Sequence, residues 1–326
     1  MRNGKCDSRY VQAVGQLPES VFKTLLKVDA ELQGSVMEIR MKTGKPLALW
    51  TGRKLVFVDV DGKTSSVPGY NSRYISQREV LMAVETLSGY SVHSHQEEMR
   101  YGFITAQGGH RAGLSGTAVY GGSGIKTIRE ITAVNLRIAR EIKGCAQKLL
   151  NQTFKDGICS FLIAGPPSSG KTTLLRDTAR LLSAGTLGII YKTAVVDERG
   201  EIAAVVNGLV QNDLGFSCDV LNGYGKADGI MQAVRTLSPQ FVICDEIGTA
   251  QEVKAVEQSL NCGVNVIASI HAEDAKSFFS RPQGRALAET GAFSKIAFLS
   301  PSGLGEISEI INLDRQVQKC SSYGVW

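Results

Sequence analysis

The octapeptide GPPSSGKT, Gly165 to Thr172, constrains this chain more than any other stretch. It fits G-x-x-x-x-G-K-[ST] and stands between FLIAG (161–165), which reads as a buried strand, and Lys171 to Ser183, which reads as a helix. That placement makes the pattern specific. A loop feeding a helix start presents unpaired N–H groups and a partial charge of roughly +0.5, and glycines at both ends let a polyphosphate approach the backbone. The expected nucleotide-binding set is Gly165, Pro166, Pro167, Ser168, Ser169, Gly170, Lys171 and Thr172, with Thr173 capping or packing behind them. Lys171 is expected to reach the β- and γ-phosphates and Thr172 to hold Mg²⁺ through its hydroxyl, so ATP and Mg²⁺ are the expected cofactors. A plain Gly/Ser-rich turn is the competing reading.

Strands and helices alternate after residue 145. GIIYKTAVV (188–196) reads as a strand, Gly229 to Leu237 as a helix and FVIC (241–244) as a strand. A helix over Gln251 to Cys262 places Val253, Val256 and Leu260 on one face and stops at Gly263, before a strand, VNVIASI (264–270). This order predicts a parallel sheet with crossover helices. The first half differs. Short strands are expected over Met37 to Lys42, Leu47 to Trp50 and Leu55 to Val60, and one helix opens on the capping box SQRE (76–79). RYGFITAQGGHRAGLSGTAVY (100–120) reads as two strands around a Gly-Gly turn. VNLRIARE (134–141) interleaves aliphatics with Arg137 and Arg140 and leads into a short helix and linker around Lys143 to Asp156. The expected fold is α/β: a P-loop NTPase core (RecA/AAA-like) over 145–326, a parallel sheet with helices on both faces. A smaller β-rich α+β domain over 1–144 precedes it.

The strand FVIC runs into two adjacent carboxylates, Asp245 and Glu246. Alone, this could be a strand leaving the core. With the phosphate loop upstream it becomes a Walker B element, in which Asp245 holds the Mg²⁺ shell and Glu246 orients and deprotonates the attacking water. The next strand, VIASIHAED (266–274), ends on His271 in a chain with only four histidines. Functional groups gather at the carboxyl ends of adjacent parallel strands, so His271 is expected near the γ-phosphate. A hydrogen-bonded core histidine is the alternative.

With 326 residues, 43% hydrophobic and 21% charged, the composition is that of an ordinary globular protein of about two domains. The net charge of +5 is scattered, and no aromatic-interleaved basic patch, helix-turn-helix or zinc module appears, so no nucleic acid is expected as partner. No stretch approaches the roughly 18 to 20 apolar residues of a spanning helix, so a soluble chain with no direct membrane span is expected. Cys6, Cys145, Cys159, Cys218, Cys244, Cys262 and Cys320 contain no C-x-x-C pair, which points away from a disulfide framework or zinc site and toward a reducing compartment. Most of them are expected to be small buried residues.

VVDERGEIA (195–203), VRTLSPQFVICDEIG (234–248) and LNCGVNVIASIHAED (260–274), with GGHRAG (108–113), IKTIRE (125–130) and NLRIARE (135–141), resemble the stage III sporulation protein AA family of spore-forming bacteria. That family is related to the ATPases of type II and type IV secretion and of pilus assembly. The resemblance implies that His271 belongs to a histidine box and that VVDERGE is an acidic box, bringing Asp197, Glu198 and Glu201 near the nucleotide. Glu198 and Glu201 would position water or magnesium; a solvated acidic loop is the alternative. It further implies that Arg111, Arg137 and Arg140 serve the nucleotide across a subunit boundary, against simple pairing with Glu130 or Glu141. Ser217, Tyr224-Gly225 and Gly200 depart from the family pattern. The implied function is a Mg-dependent ATPase that powers or assembles a membrane channel or secretion-like complex during sporulation. Its implied form is a homo-oligomer, a hexamer, cytoplasmic and peripherally bound to membrane-embedded sporulation channel proteins on the mother-cell side. The alternatives are a nucleic-acid-remodelling P-loop ATPase and a non-hydrolysing scaffold. Glu246 and His271 together favour turnover.

Overall fold

In the computed structural model, which describes residues 7–91, 95–122, 124–301 and 303–313, packing divides the chain into two units. One is Met1–Arg140 with Val205–Gln211; the other is Glu141–Ala204 with Asn212–Trp326. The division falls slightly before the expected 144/145, and a segment from the second half of the sequence joins the first unit.

The first unit opens on three short helices, α1 (Ser8–Val14), α2 (Glu19–Leu25) and α3 (Ala30–Gln33). Asp7 caps α1 by accepting the Tyr10 amide at 2.7 Å, and Asp29 caps α3 through the Glu31 and Leu32 amides. Four strands follow, β1 (Glu38–Lys42), β2 (Ala48–Trp50), β3 (Leu55–Val58) and β4 (Thr64–Ser65). Helix α4 (Gln77–Leu87) starts on the expected box, with Ser76 and Glu79 satisfying each other's amides. Then come α5 (Gln96–Arg100), β5 (Phe103–Ala106), β6 (His110–Gly121) and β7 (Gly124–Arg137). All seven strands form one antiparallel sheet in the order β4-β3-β2-β1-β7-β6-β5. Tyr10, Ile39, Met41, Leu47 and Leu49 are fully buried in its core. The expectation of a single helix here is corrected: α1 to α3 and α5 also form. At four to seven residues they are too short for apolar periodicity to declare them.

In the second unit α6 (Gln147–Thr153) precedes β8 (Phe161–Ala164), α7 (Lys171–Ser183) and β9 (Thr193–Asp197). The hairpin β10 (Val205–Val206) and β11 (Leu209–Val210) goes to the first unit. The chain continues with β12 (Cys218–Asn222), α8 (Lys226–Thr236), β13 (Phe241–Cys244), α9 (Ala250–Asn261), β14 (Asn265–Ile270), α10 (Ala275–Ser280), α11 (Pro282–Glu289), β15 (Lys295–Leu299) and β16 (Ile307–Asn312). The sheet order is β12-β9-β13-β14-β8-β15-β16, parallel but for the last strand. Leu162, Ala164, Val196, Val242, Cys244 and Val266 pack with Ile230 of α8, Val256 of α9 and Leu287 of α11. The alternate residues Ile163, Val195, Ile243 and Ile267 are equally buried, and α7 packs against β9, β13 and β14. Burial on both faces is why these strands are apolar throughout.

Three expectations are corrected here. The strand placed over 188–196 begins only at Thr193, because Gly188 takes φ +90° and Ile189 and Ile190 stay 58% exposed. Leu260 is exposed, so it leaves the buried face that Val253 and Val256 share. Among the described cysteines only Cys244 is buried, while Cys145, Cys159 and Cys218 are half-buried and Cys262 is exposed. Cys6 and Cys320 lie outside the described residues.

Candidate functional site

The carboxyl ends of β8, β13 and β14 lie side by side, since β14 pairs with both β8 and β13. Gly165 leaves β8 and donates its N–H to Ile270 O at 3.3 Å. A Cβ there would stand 2.6 Å from Ser169 Oγ, and one on Gly170, at φ +98°, would stand 2.9 Å from Gly305 N. Both glycines are therefore fixed by space. Ser168 also sits in the left-handed region, at φ +61°. Ser169 Oγ is buried with no hydrogen-bond partner among the described residues.

Helix α7 begins with Lys171, whose Nζ donates to Gly165 O at 3.0 Å and Pro166 O at 2.8 Å and lies 3.3 Å from His271 Nδ1. Its three protons are thus matched by three acceptors. Burial lowers its pKa, against the opposing pull of Glu246 and Asp245. Thr172 donates to Asp245 Oδ2 at 2.7 Å. His271 Nε2 lies 2.8 Å from Glu246 Oε1, so a neutral ring protonated on Nε2 satisfies both contacts.

The acids are held from behind by Ser269, which is fully buried in β14. Its hydroxyl donates to Asp245 Oδ1 and accepts the Glu246 amide at 3.0 Å, while its carbonyl accepts the Ile247 amide at 3.0 Å. Glu252 then accepts the Gly248 amide at 2.7 Å and the Thr249 amide at 2.8 Å. Glu246 itself sits at φ +43°, a strained conformation that these captured amides hold in place.

The acidic segment folds around Asp197. This carboxylate, at the end of β9, accepts the amides of Glu201, Ile202 and Ala203 at 2.9, 3.1 and 2.7 Å. Burial raises its pKa, opposed by those three N–H groups. Glu198 turns to Lys226 at 3.0 Å, and Arg199 lies 3.6 Å from Glu246 Oε2. A cavity of about 20 Å³ is lined by Glu198, Arg199, Glu201, Lys226, Asp245 and Glu246, among others, so the two acidic motifs meet.

Arg111 and Arg137 are cross-strand partners on β6 and β7 of the first unit. The Arg111 guanidinium lies over the Phe103 ring at 3.7 Å, and Arg137, 74% exposed at its side chain, lies 3.6 Å from Glu38. Arg140 is engaged elsewhere: it bonds Asp7 at 2.6 Å, Gln33 O at 3.0 Å and Val36 O at 3.1 Å. The acids that Arg137 and Arg140 meet are Glu38 and Asp7.

The family model described as sporulation stage III, protein AA, matches residues 9–317. Stage III sporulation protein AA of Bacillus subtilis (strain 168) is 35% identical over 303 residues, which is 92% of this chain and 94% of that protein. The chain belongs to the stage III sporulation protein AA family. Its fold is also that of solved P-loop ATPases. The Legionella pneumophila ATPase DotB matches with TM-score 0.57 and 17% identity, over 94% of this chain and 84% of that one. The pilus retraction motor PilT, solved with ADP, matches with TM-score 0.55 and 14% identity, over 94% and 88%.

Within this family member, sequence reasoning missed Ser269, Arg199, Lys226 and Glu252. Glu252 was legible, since TAQE (249–252) is a capping box separated by two residues from Asp245 and Glu246, and α9 starts on it. Ser269, one hydroxyl in an apolar strand, gave no comparable signal.

Proposed function

We propose that this chain is a Mg-dependent ATP hydrolase whose turnover powers or assembles a membrane channel or secretion-like complex in sporulation. The observation that carries this is one connected set of contacts from the phosphate loop to the strand-end acids: Thr172 to Asp245, and Lys171 through His271 to Glu246. The loop suits a polyphosphate. Its glycines sit where a Cβ would collide, and Ser169 Oγ is a buried hydroxyl that has no partner among the described residues. Thr172 and Asp245 offer the hard oxygen donors that Mg²⁺ takes.

Bound Mg²⁺ would supply positive charge to phosphate oxygens, with Thr172 and Asp245 as its protein contacts. Lys171 supplies a second cation from the helix start. Glu246 takes the proton of the attacking water, its backbone amide held by Ser269 and its carboxylate met by His271 and Arg199. His271 touches both Lys171 and Glu246, so whatever engages the lysine is felt at the base. Glu198 and Glu201 act from the adjacent cavity.

The proposal extends to assembly as a homohexameric ring in which Arg111 and Arg137 of one subunit serve the nucleotide of the next. A head-to-tail interface brings one subunit's surface to its neighbour's site. Arg140, held by Asp7, Gln33 and Val36, fixes the end of the first unit instead. Among the described residues no helix is long and apolar enough to cross a membrane, so docking would run through membrane-embedded partners on the mother-cell side.

Phosphate release by the purified chain with ATP and Mg²⁺ tests the activity. Lys171→Ala should weaken ATP binding, and Glu246→Gln should bind ATP with turnover reduced by about 10² or more. Equal turnover in Glu246→Gln and wild type would remove Glu246 as the base. Tight ATP binding with no phosphate release in wild type would leave a scaffold, and hydrolysis stimulated by DNA or RNA would point to nucleic-acid remodelling.

A further inference from the structure

Lys226 is the first residue of α8, and its side chain is only 10% exposed. Lysine is rarely this buried unless paired. Its Nζ lies 3.0 Å from Glu198 Oε2 and 3.6 Å from Glu252 Oε1, and Glu252 is itself 9% exposed at the side chain. The other Glu252 oxygen, Oε2, takes the amides of Gly248 and Thr249. Glu252 therefore holds the backbone just past Glu246, and the Lys226 ammonium stands beside its buried carboxylate.

Each amide from Glu246 to Thr249 is captured: the first two by Ser269, the next two by Glu252. Such over-determination is what sustains Glu246 at φ +43°. Lys226 closes this arrangement. It also draws Glu198 to itself, joining the acidic loop to the Walker B loop. We infer that Lys226 is a positioning residue that fixes the orientation of Glu246 through Glu252 and sets the place of the acidic loop through Glu198. It touches no reacting atom in this role. The inference rests on the ATPase proposal for its catalytic consequence, but not for its structural one.

Lys226→Met keeps the length of the side chain and removes the charge, leaving the Glu252 carboxylate buried without its cation. Hydrogen exchange of the nucleotide-free full chain reads the structural effect directly. The Gly248 and Thr249 amides should exchange at least about tenfold faster in K226M, with Lys226→Arg close to wild type. Steady-state phosphate release should show kcat reduced about tenfold or more with KM for ATP within about twofold, again recovered by K226R. In a Glu252→Gln background the Lys226→Met change should add little to the exchange of the Gly248 and Thr249 amides, because the carboxylate that holds them is no longer a buried charge. The double variant also guards against a K226M chain that fails to fold, since it should fold. Wild-type exchange rates in K226M would overturn the inference, as would full additivity with E252Q in the Gly248 and Thr249 exchange or a double variant that does not fold. A wild-type chain without phosphate release would refute the ATPase reading alone, and the exchange arm would still decide Lys226.

Discussion

His110 is fully buried in the first unit, at the start of β6. Its Nδ1 accepts the Ala139 amide at 3.0 Å, and its Nε2 is buried with no hydrogen-bond partner among the described residues. A protonated ring would lose the Nδ1 acceptor and carry an unpaired charge close to Arg9 and Arg140. Burial first, and those two arginines second, push its pKa down from 6.5 to about 4. Between these values the unfolded chain binds a proton that the folded chain refuses. The stability contributed by the neutral ring is therefore complete above 6.5 and is lost as pH falls toward 4. The whole window corresponds to about 3 kcal/mol, and roughly 2 kcal/mol of it should be gone at about pH 5. Urea unfolding followed by Trp50 fluorescence, with Trp326→Phe to remove the other tryptophan, measures this against His110→Gln, whose amide oxygen can accept the Ala139 N–H. The wild-type unfolding free energy should fall on acidification by about 2 kcal/mol more than that of the H110Q chain. Parallel pH profiles would refute the reasoning, because the folded ring would then be taking its proton freely.

His271→Ala should lower hydrolysis while leaving ADP affinity nearly unchanged, as fluorescent-nucleotide titration can check; an equal loss of ADP affinity would return His271 to a structural role. Gly170→Ala should reduce ATP affinity and destabilise the second unit by about 1 to 2 kcal/mol, since φ +98° suits glycine and the added methyl meets Gly305 N; unchanged ATP binding and melting would contradict the cradle. Arg140→Ala should destabilise the first unit by leaving Asp7 without its partner, whereas Arg137→Ala should leave urea unfolding within about 0.5 kcal/mol of wild type. Mixing Arg137→Ala with Lys171→Ala subunits should restore part of the activity, and a strict monomer with full activity would end the ring proposal.

Local signals determined the parts of this protein that the sequence made legible. The glycine-rich loop 165–170 and α7 could be bounded residue by residue because such a loop between an apolar strand and an amphipathic helix has few other ways to fold. The Ser76 box started α4 for the same reason, its partners lying three residues apart. The apolar run through Ile189 and Ile190 misled because hydrophobicity reports what can be buried, and only the tertiary arrangement decides what is. Partnerships across long separations were beyond local reading. Arg140 meets Asp7 across 133 positions, and Lys171 meets His271 across 100. Charge type and motif spacing made Lys171, Asp245, Glu246 and His271 candidates from the sequence alone. Which acid would face which base followed from strand order: β14 lies between β8 and β13, and that adjacency puts loop, acids and histidine at one edge of one sheet.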